Sequence, residues 1–264
     1  MLSVVLVSAL AGFLAQSAPA TSAGTIAKES VSNGLTTPDQ TAPAAKSKKL
    51  SPEELGDIFM ARKRFREALE QYQHCDRKSA AIANKIGIAY HQLLDLRNAM
   101  KQYKLATKLD PHFSEAFNNL GTIYYSQRSY RRAIHYYRSA LRLAPNSATV
   151  YSNLGSAYFS QHHIPEAIEA YSRALDIDPE VFNRSAPNGV LLQEQTVEDK
   201  AKFHYYMARL YAQKGNAEQS LQYIRKALEE GFKDREKFRS EPEFAILKGN
   251  PEFEELMKKE PREL

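Results

Sequence analysis

An all-α solenoid of antiparallel helix pairs, closed at one end by a C-terminal helical cap, is the fold class this sequence predicts. Three observations predict it. The phrase Phe117-x2-Leu120-Gly121-x2-Tyr124…Ala133-x3-Tyr137-x2-Ala140…Pro145 returns 34 residues later as Tyr151-x2-Leu154-Gly155-x2-Tyr158…Ala167-x3-Tyr171-x2-Ala174…Pro179. A fixed period of this length, with small residues at fixed offsets, marks stacked helix pairs. Two earlier copies carry the same phrase, as Leu55-Gly56-x2-Phe59 with Ala68 and Tyr72, then Ile86-Gly87-x2-Tyr90 with Ala99, Tyr103, Ala106 and Pro111. A fifth, degenerate copy reads Met207-Ala208-x2-Tyr211, Ser220, Ile224 and Ala227, with Gly231 as its helix stop.

Along the chain, residues 2–14 (LSVVLVSALAGFL) are apolar and no charge precedes Lys28. The run is shorter than the roughly 20 residues of a spanning helix. Ala18-Pro19-Ala20 supplies a small-x-small cleavage site, so residues 1–20 read as a secretory signal, although no basic residue precedes the run. Export to the periplasm or medium is expected; tethering to a membrane by an uncleaved N-terminus is the alternative. Residues 21–48, rich in Ser, Thr, Ala, Pro and Gly, read as a linker without fixed structure.

The solenoid is expected over 49–232. It opens at Ser51-Pro52-Glu53-Glu54, a capping box with Pro at the first helical position. The first copy is three residues short, because Gly56 and Gly87 lie 31 apart rather than 34, which predicts a tighter turn after Cys75. An insert at 180–199, with the turn Pro187-Asn188-Gly189 and the apolar Val190-Leu191-Leu192, is expected to pack on the solenoid as a loop. The segment 233–264 holds capped starts at Ser240-Glu241-Pro242-Glu243 and Asn250-Pro251-Glu252. Their apolar faces, Phe244/Leu247 and Phe253/Leu256/Met257, suit a terminal cap.

Within a repeat, Gly at the eighth position removes a side chain where the two helices meet, with Ala at the twentieth as its expected partner. Aromatic residues at positions eleven and twenty-four fill the wedge between pairs, and Pro at thirty-two ends the second helix.

Composition narrows the function. The chain has 264 residues, 43% of them hydrophobic, with a net charge of +5. Its single cysteine excludes an intrachain disulfide or a multi-thiolate metal site. Cys75 falls where the other full repeats carry Ala, which predicts a small buried filler. His162-His163 with Glu166 is the nearest approach to a metal cluster, and spacing places no further ligand. The clustered glycines belong to the repeat rather than to a phosphate loop, and no Ser/His/acid arrangement can be placed. Asn183-Arg184-Ser185 fits a glycosylation sequon. These residues predict a protein that is not an enzyme, with no metal, no cofactor and no small-molecule substrate.

The repeat residues resemble the tetratricopeptide repeat (TPR) family over about residues 49–232, with Phe117 and Tyr151 standing where that family often has Trp. The closing segment looks like the tail of many bacterial members. The resemblance implies a right-handed superhelix whose concave wall is lined by the first helix of each pair. Carried over by position, the peptide-binding groove would comprise Asn84, Lys85, His91, Asn118, Asn119, Thr122, Tyr125, Asn153, Ser156, Phe159, Tyr205 and Arg209.

Asn119 and Asn153 share one position in successive repeats and resemble an asparagine ladder that holds a peptide backbone; an ordinary polar face is the alternative. On the ladder reading, Asn119→Ala with Asn153→Ala weakens partner capture and leaves melting unchanged. The family's carboxylate-clamp pattern is missing, since Glu53, Asp57, Asn84 and Ile88 stand at its positions. The expected partner is a protein or peptide segment.

A second surface is legible on the convex face. Arg97, Lys101, Lys104 and Lys108 recur in the next repeat as Arg131, His135, Arg138 and Arg142, whereas the fourth repeat carries Glu169 and Asp176. Such stripes could meet an acidic protein, anionic lipid or nucleic acid; a charged face that is merely solvated is the alternative. The nearby Tyr103, Tyr130 and Tyr137 sit mostly at core positions, which argues against base stacking and against a nucleic-acid partner.

Overall fold

The computed structural model describes residues 49–184 and 196–258, all in helices and their connections, with no strand among them. The expected signal and linker, and the Pro187-Asn188-Gly189 turn, lie outside these residues. Helix α1 (Pro52–Ala61) starts at its capping box, where the Glu54 amide donates to Ser51 Oγ at 3.2 Å and the Ser51 amide to Glu54 Oε2 at 2.7 Å. It pairs with α2 (Phe65–Tyr72). The pairs α3 (Ala80–Gln92) and α4 (Leu96–Leu109), α5 (Ser114–Ser126) and α6 (Tyr130–Leu143), and α7 (Ala148–Phe159) and α8 (Ile164–Ile177) follow. After the short α9 (Val181–Arg184), α10 (Val197–Gln213) and α11 (Ala217–Glu229) form the fifth pair. Each first helix packs on its own partner and on the second helix of the preceding pair, so no pair closes its core alone.

The turn inside every pair is one device repeated. Lys63, Leu94, Arg128, His162 and Gly215 occupy the fifteenth position with φ of 58, 62, 57, 60 and 77°. The next amide then donates back to the carbonyl of the eleventh residue: Arg64 to Phe59, Asp95 to Tyr90, Ser129 to Tyr124, His163 to Tyr158 and Asn216 to Tyr211, at 2.8 to 3.0 Å. This left-handed residue with its six-to-one bond ends a helix while satisfying its last carbonyls. Only the fifth copy uses glycine there.

Glycine at the eighth position answers a different neighbour from the one expected. A Cβ on Gly56, Gly87, Gly121 or Gly155 would lie 2.3, 2.6, 2.5 or 2.5 Å from the ring of Tyr72, Tyr103, Tyr137 or Tyr171. The partner is therefore the tyrosine at position twenty-four, not the alanine at twenty, although those alanines (Ala68, Ala99, Ala133, Ala167) are fully buried. In the fifth pair Ala208 faces this region with Ile224, so a methyl is present where the large ring is absent.

The tyrosine hydroxyls then reach the ninth position. Tyr72 donates to Asp57 Oδ1 (2.7 Å), Tyr137 to Thr122 Oγ1 (3.4 Å) and Tyr171 to Ser156 Oγ (3.3 Å). The Tyr103 hydroxyl finds no partner among the described residues, because Ile88 stands at that position.

Shortening of the first repeat falls before Cys75, not after it. Helix α2 stops at Tyr72, position twenty-four, whereas α4, α6 and α8 run on to position thirty. The buried filler expected at Cys75 is half-exposed; its thiol donates weakly to the Gln71 carbonyl, and partial burial raises its pKa.

Only the two ends of the expected insert at 180–199 fall among the described residues. Helix α10 begins at Val197, capped by Thr196, whose Oγ1 accepts the Asp199 amide at 3.1 Å. Val181 and Phe182 are buried, and the Phe182 ring meets Tyr171 edge-on at 5.6 Å.

Beyond α11 come α12 (Glu236–Ser240), a 3-10 helix (Pro242–Leu247) and α13 (Pro251–Lys258). Phe238, Phe244, Leu247, Phe253, Leu256 and Met257 are buried; the 3-10 helix covers α10 and α13 lies on α11. Asn250 caps α13, its Oδ1 accepting the Glu252 and Phe253 amides. Ser240 does not cap: its hydroxyl turns back to the Glu236 carbonyl, and Glu241 precedes the 3-10 helix without a side-chain capping bond to its amides.

Candidate functional site

Stacking brings the first helices of successive pairs side by side, so position six of one repeat meets position five of the repeat before. Polar side chains fill these places, and they bond to one another. Lys85 Nζ donates to Glu53 Oε1 at 2.8 Å and to Asp57 Oδ2 at 2.7 Å. Asn119 Nδ2 donates to Asn84 Oδ1 at 2.9 Å, and Asn153 Nδ2 to Asn118 Oδ1 at 3.0 Å. The wall thus carries three internal rungs. Burial alone would lower the Lys85 pKa, but the bonds to Asp57 and Glu53 outweigh it and hold the ammonium above its usual value.

At the C-terminal end the rungs pass to the cap. Tyr205 donates to Glu241 Oε1 at 2.5 Å and Arg209 Nε to Glu243 Oε1 at 2.9 Å, as a sixth first helix would accept them. A shallow pocket nearby is lined by Ile168, Tyr206, Arg209, Leu210, Gln213 and Glu243.

The groove expected from position alone is therefore much reduced. Asn84, His91, Asn119, Tyr125, Ser156, Phe159 and Tyr205 are all buried. Asn84 and Asn119 are 7% and 5% exposed and hold each other, so Asn119 is not a free rung of the ladder expected with Asn153. His91 lies edge-on to Tyr103, its Nδ1 lacks a partner among the described residues, and burial lowers its pKa. Tyr125 shares a hydrogen bond with Ser160, Phe159 packs on Phe203, and Ser156 donates to the Ser152 carbonyl.

Lys85, Asn118, Thr122, Asn153 and Arg209 remain half-buried, but Lys85 and Arg209 are held by carboxylates. Asn118, Thr122 and Asn153 are the uncharged remainder. The rung between the two asparagines uses Asn118 Oδ1 and Asn153 Nδ2, and neither Asn118 Nδ2 nor Asn153 Oδ1 has another partner among the described residues.

Position-by-position reading missed the rungs, yet a signal existed. Glu53 with Lys85, Asn84 with Asn119 and Asn118 with Asn153 are complementary pairs one repeat plus one residue apart, allowing for the shortened first copy.

The other wall matches its expected exposure. Arg97, Lys101, Lys104, Lys108, Arg131, His135, Arg138 and Arg142 are all exposed. Arg142 donates to Ser139 Oγ at 2.8 Å, and the Arg138 guanidinium lies 5.6 Å from the Tyr158 ring centre. On the fourth repeat Asp176 is paired with Lys214 at 2.5 Å. His163 Nδ1 is 3.6 Å from Glu166 Oε1, and no group of three or more possible metal ligands occurs among the described residues.

Family profiles described as tetratricopeptide repeat match residues 118–181 and, in a second variety, 80–113 and 201–230. Over these residues the chain carries tetratricopeptide repeats, a type of repeat typical of non-catalytic scaffolds that bind protein or peptide partners. Solved structures with a similar arrangement include MamA, at 23% identity and a TM-score of 0.47 over 67% of this chain and 94% of that one. MamA of Desulfovibrio magneticus RS-1 gives 22% and 0.48 over 67% and 92%. YrrB, described as a TPR protein with an unusual peptide-binding site, gives 18% and 0.45 over 68% and 84%. A search of curated proteins found no match. No helix among the described residues is long and apolar enough to cross a membrane.

Proposed function

We propose that this chain is a non-enzymatic scaffold of the cell envelope whose first-helix wall holds a segment of another protein. The observation that carries this reading is the half-buried Asn118–Asn153 pair. Each amide uses one polar atom in the rung, leaving a donor at Asn118 Nδ2 and an acceptor at Asn153 Oδ1. A main-chain peptide group offers the complementary acceptor and donor. The rung also holds the two amides in place, so little side-chain freedom is lost on binding. Export is supported by the apolar run 2–14 and the Ala18-Pro19-Ala20 site.

The test is affinity capture from envelope extracts with the full chain at low and high salt. Asn118→Ala with Asn153→Ala should lose the partner at both salt concentrations while remaining helical. Undiminished capture by that double variant would remove the groove reading. Asn119→Ala is the wrong probe, because it disturbs the stacking itself.

A further inference from the structure

We propose that the second-helix wall of the second and third repeats, formed by α4 and α6, is a docking face for an anionic lipid surface. Helix α4 carries Arg97, Lys101, Lys104 and Lys108 and no acidic residue in its 14 residues. Helix α6, also 14 residues long and free of Asp and Glu, carries Arg131, Arg132, Arg138 and Arg142. These cations are exposed, and none pairs with a carboxylate among the described residues. Equivalent helices elsewhere are kept wet by mixed charge: α2 has Glu67 and Glu70 beside Arg66, and α8 has Glu166, Glu169 and Asp176 beside Arg173. Solvation alone therefore does not account for single-sign charge confined to two successive repeats.

Two further features choose among anionic partners. Leu105 and Leu109 on α4 are each 37% exposed and stand at four-residue spacing after Lys101. Leucines interleaved with long cationic side chains suit the boundary between headgroups and acyl chains, where the cations remain at the polar level. A soluble polyanion has no use for them. Of the rings on these helices, Tyr103 and Tyr137 turn inward, at 0% and 2% exposure, and the half-buried Tyr130 and Tyr136 already pack on Tyr125 and Tyr124. Arg132 lies over the Tyr124 ring. Neither helix offers a stacking platform for bases.

Sedimentation of the full chain with vesicles tests this. One set is phosphatidylcholine alone; the other mixes it equally with phosphatidylglycerol. Binding to the mixed vesicles should be stronger by roughly tenfold or more and fall steeply with salt. The apolar run at 2–14 acts on both vesicle types, so the difference isolates the charged face. Lys101→Glu with Lys104→Glu and Arg131→Glu should abolish the difference, the corresponding Gln variant should reduce it, and both should retain the parent's circular dichroism. Leu105→Ser with Leu109→Ser should weaken vesicle binding without changing binding to soluble polyglutamate. Equal binding to the two vesicle types, or no response to charge reversal in a folded variant, would overturn the proposal. Tighter binding of polyglutamate or duplex DNA than of vesicles, indifferent to the leucines, would overturn it in favour of an acidic macromolecule.

Discussion

Glycine at position eight and tyrosine at position twenty-four act as one unit. The Tyr171 ring occupies the space a Gly155 side chain would need, 2.5 Å from the missing Cβ, and is itself fully buried. Gly155→Ala should cost about 1–3 kcal/mol through overpacking. The fifth repeat shows the compensated form, Ala208 with Ile224. In a Tyr171→Ile background the same Gly155→Ala change should therefore cost less than about 1 kcal/mol. Four denaturation curves measure this cycle, and an equal cost in both backgrounds would deny the coupling.

His91 gives a prediction of another kind. Burial holds its pKa below the ordinary value near 6.5, so the folded state keeps the ring neutral while the unfolded chain takes up the proton. The stability contributed is present above the ordinary value and lost as pH falls towards the folded one. Between about pH 7.5 and about pH 5, His91→Leu should show a smaller drop in melting temperature than the parent.

At the scale of elements, turns and rungs determine how helices end and stack. Leu94 holds φ at 62° with its side chain 57% exposed, so it bears the cost of a left-handed backbone with little burial in return. Leu94→Gly should stabilise the chain by about 0.5–1 kcal/mol, measured by chemical denaturation, because relief of that strain exceeds the added entropy of glycine. Asn119→Ala should do the opposite. It leaves Asn84 buried without its partner and should cost about 1–3 kcal/mol, against the unchanged melting that the ladder reading expects of the Asn119 and Asn153 double variant. Asn153→Ala, at a half-buried rung, should cost about 0.5–1.5 kcal/mol.

For the whole molecule, stability is a sum over neighbours, and the ends differ. The C-terminal end is closed by Phe238, Phe244 and Leu247, which leave at most 2% of their surfaces exposed. Ending the chain at residue 232 should uncover α10 and α11, lower the melting temperature and promote self-association on size-exclusion chromatography. An unchanged, monodisperse truncation would mean the cap contributes no closure.

What the sequence determined by itself is whatever depends on period and local chemistry. The 34-residue phrase sets the helix pairs, Ser51 with Glu54 opens the first, Gly231 with φ of 83° closes the fifth, and charge at fixed offsets marks the exposed basic stripes. Tertiary structure alone decided which ring meets each glycine, that α2 gives up its last turn, and that Asn119 turns to Asn84 rather than to a ligand. Those outcomes depend on which side chains from neighbouring repeats come within bonding distance. Position within one repeat sets the direction of a side chain, but only the stacked neighbour decides whether it finds solvent or a partner.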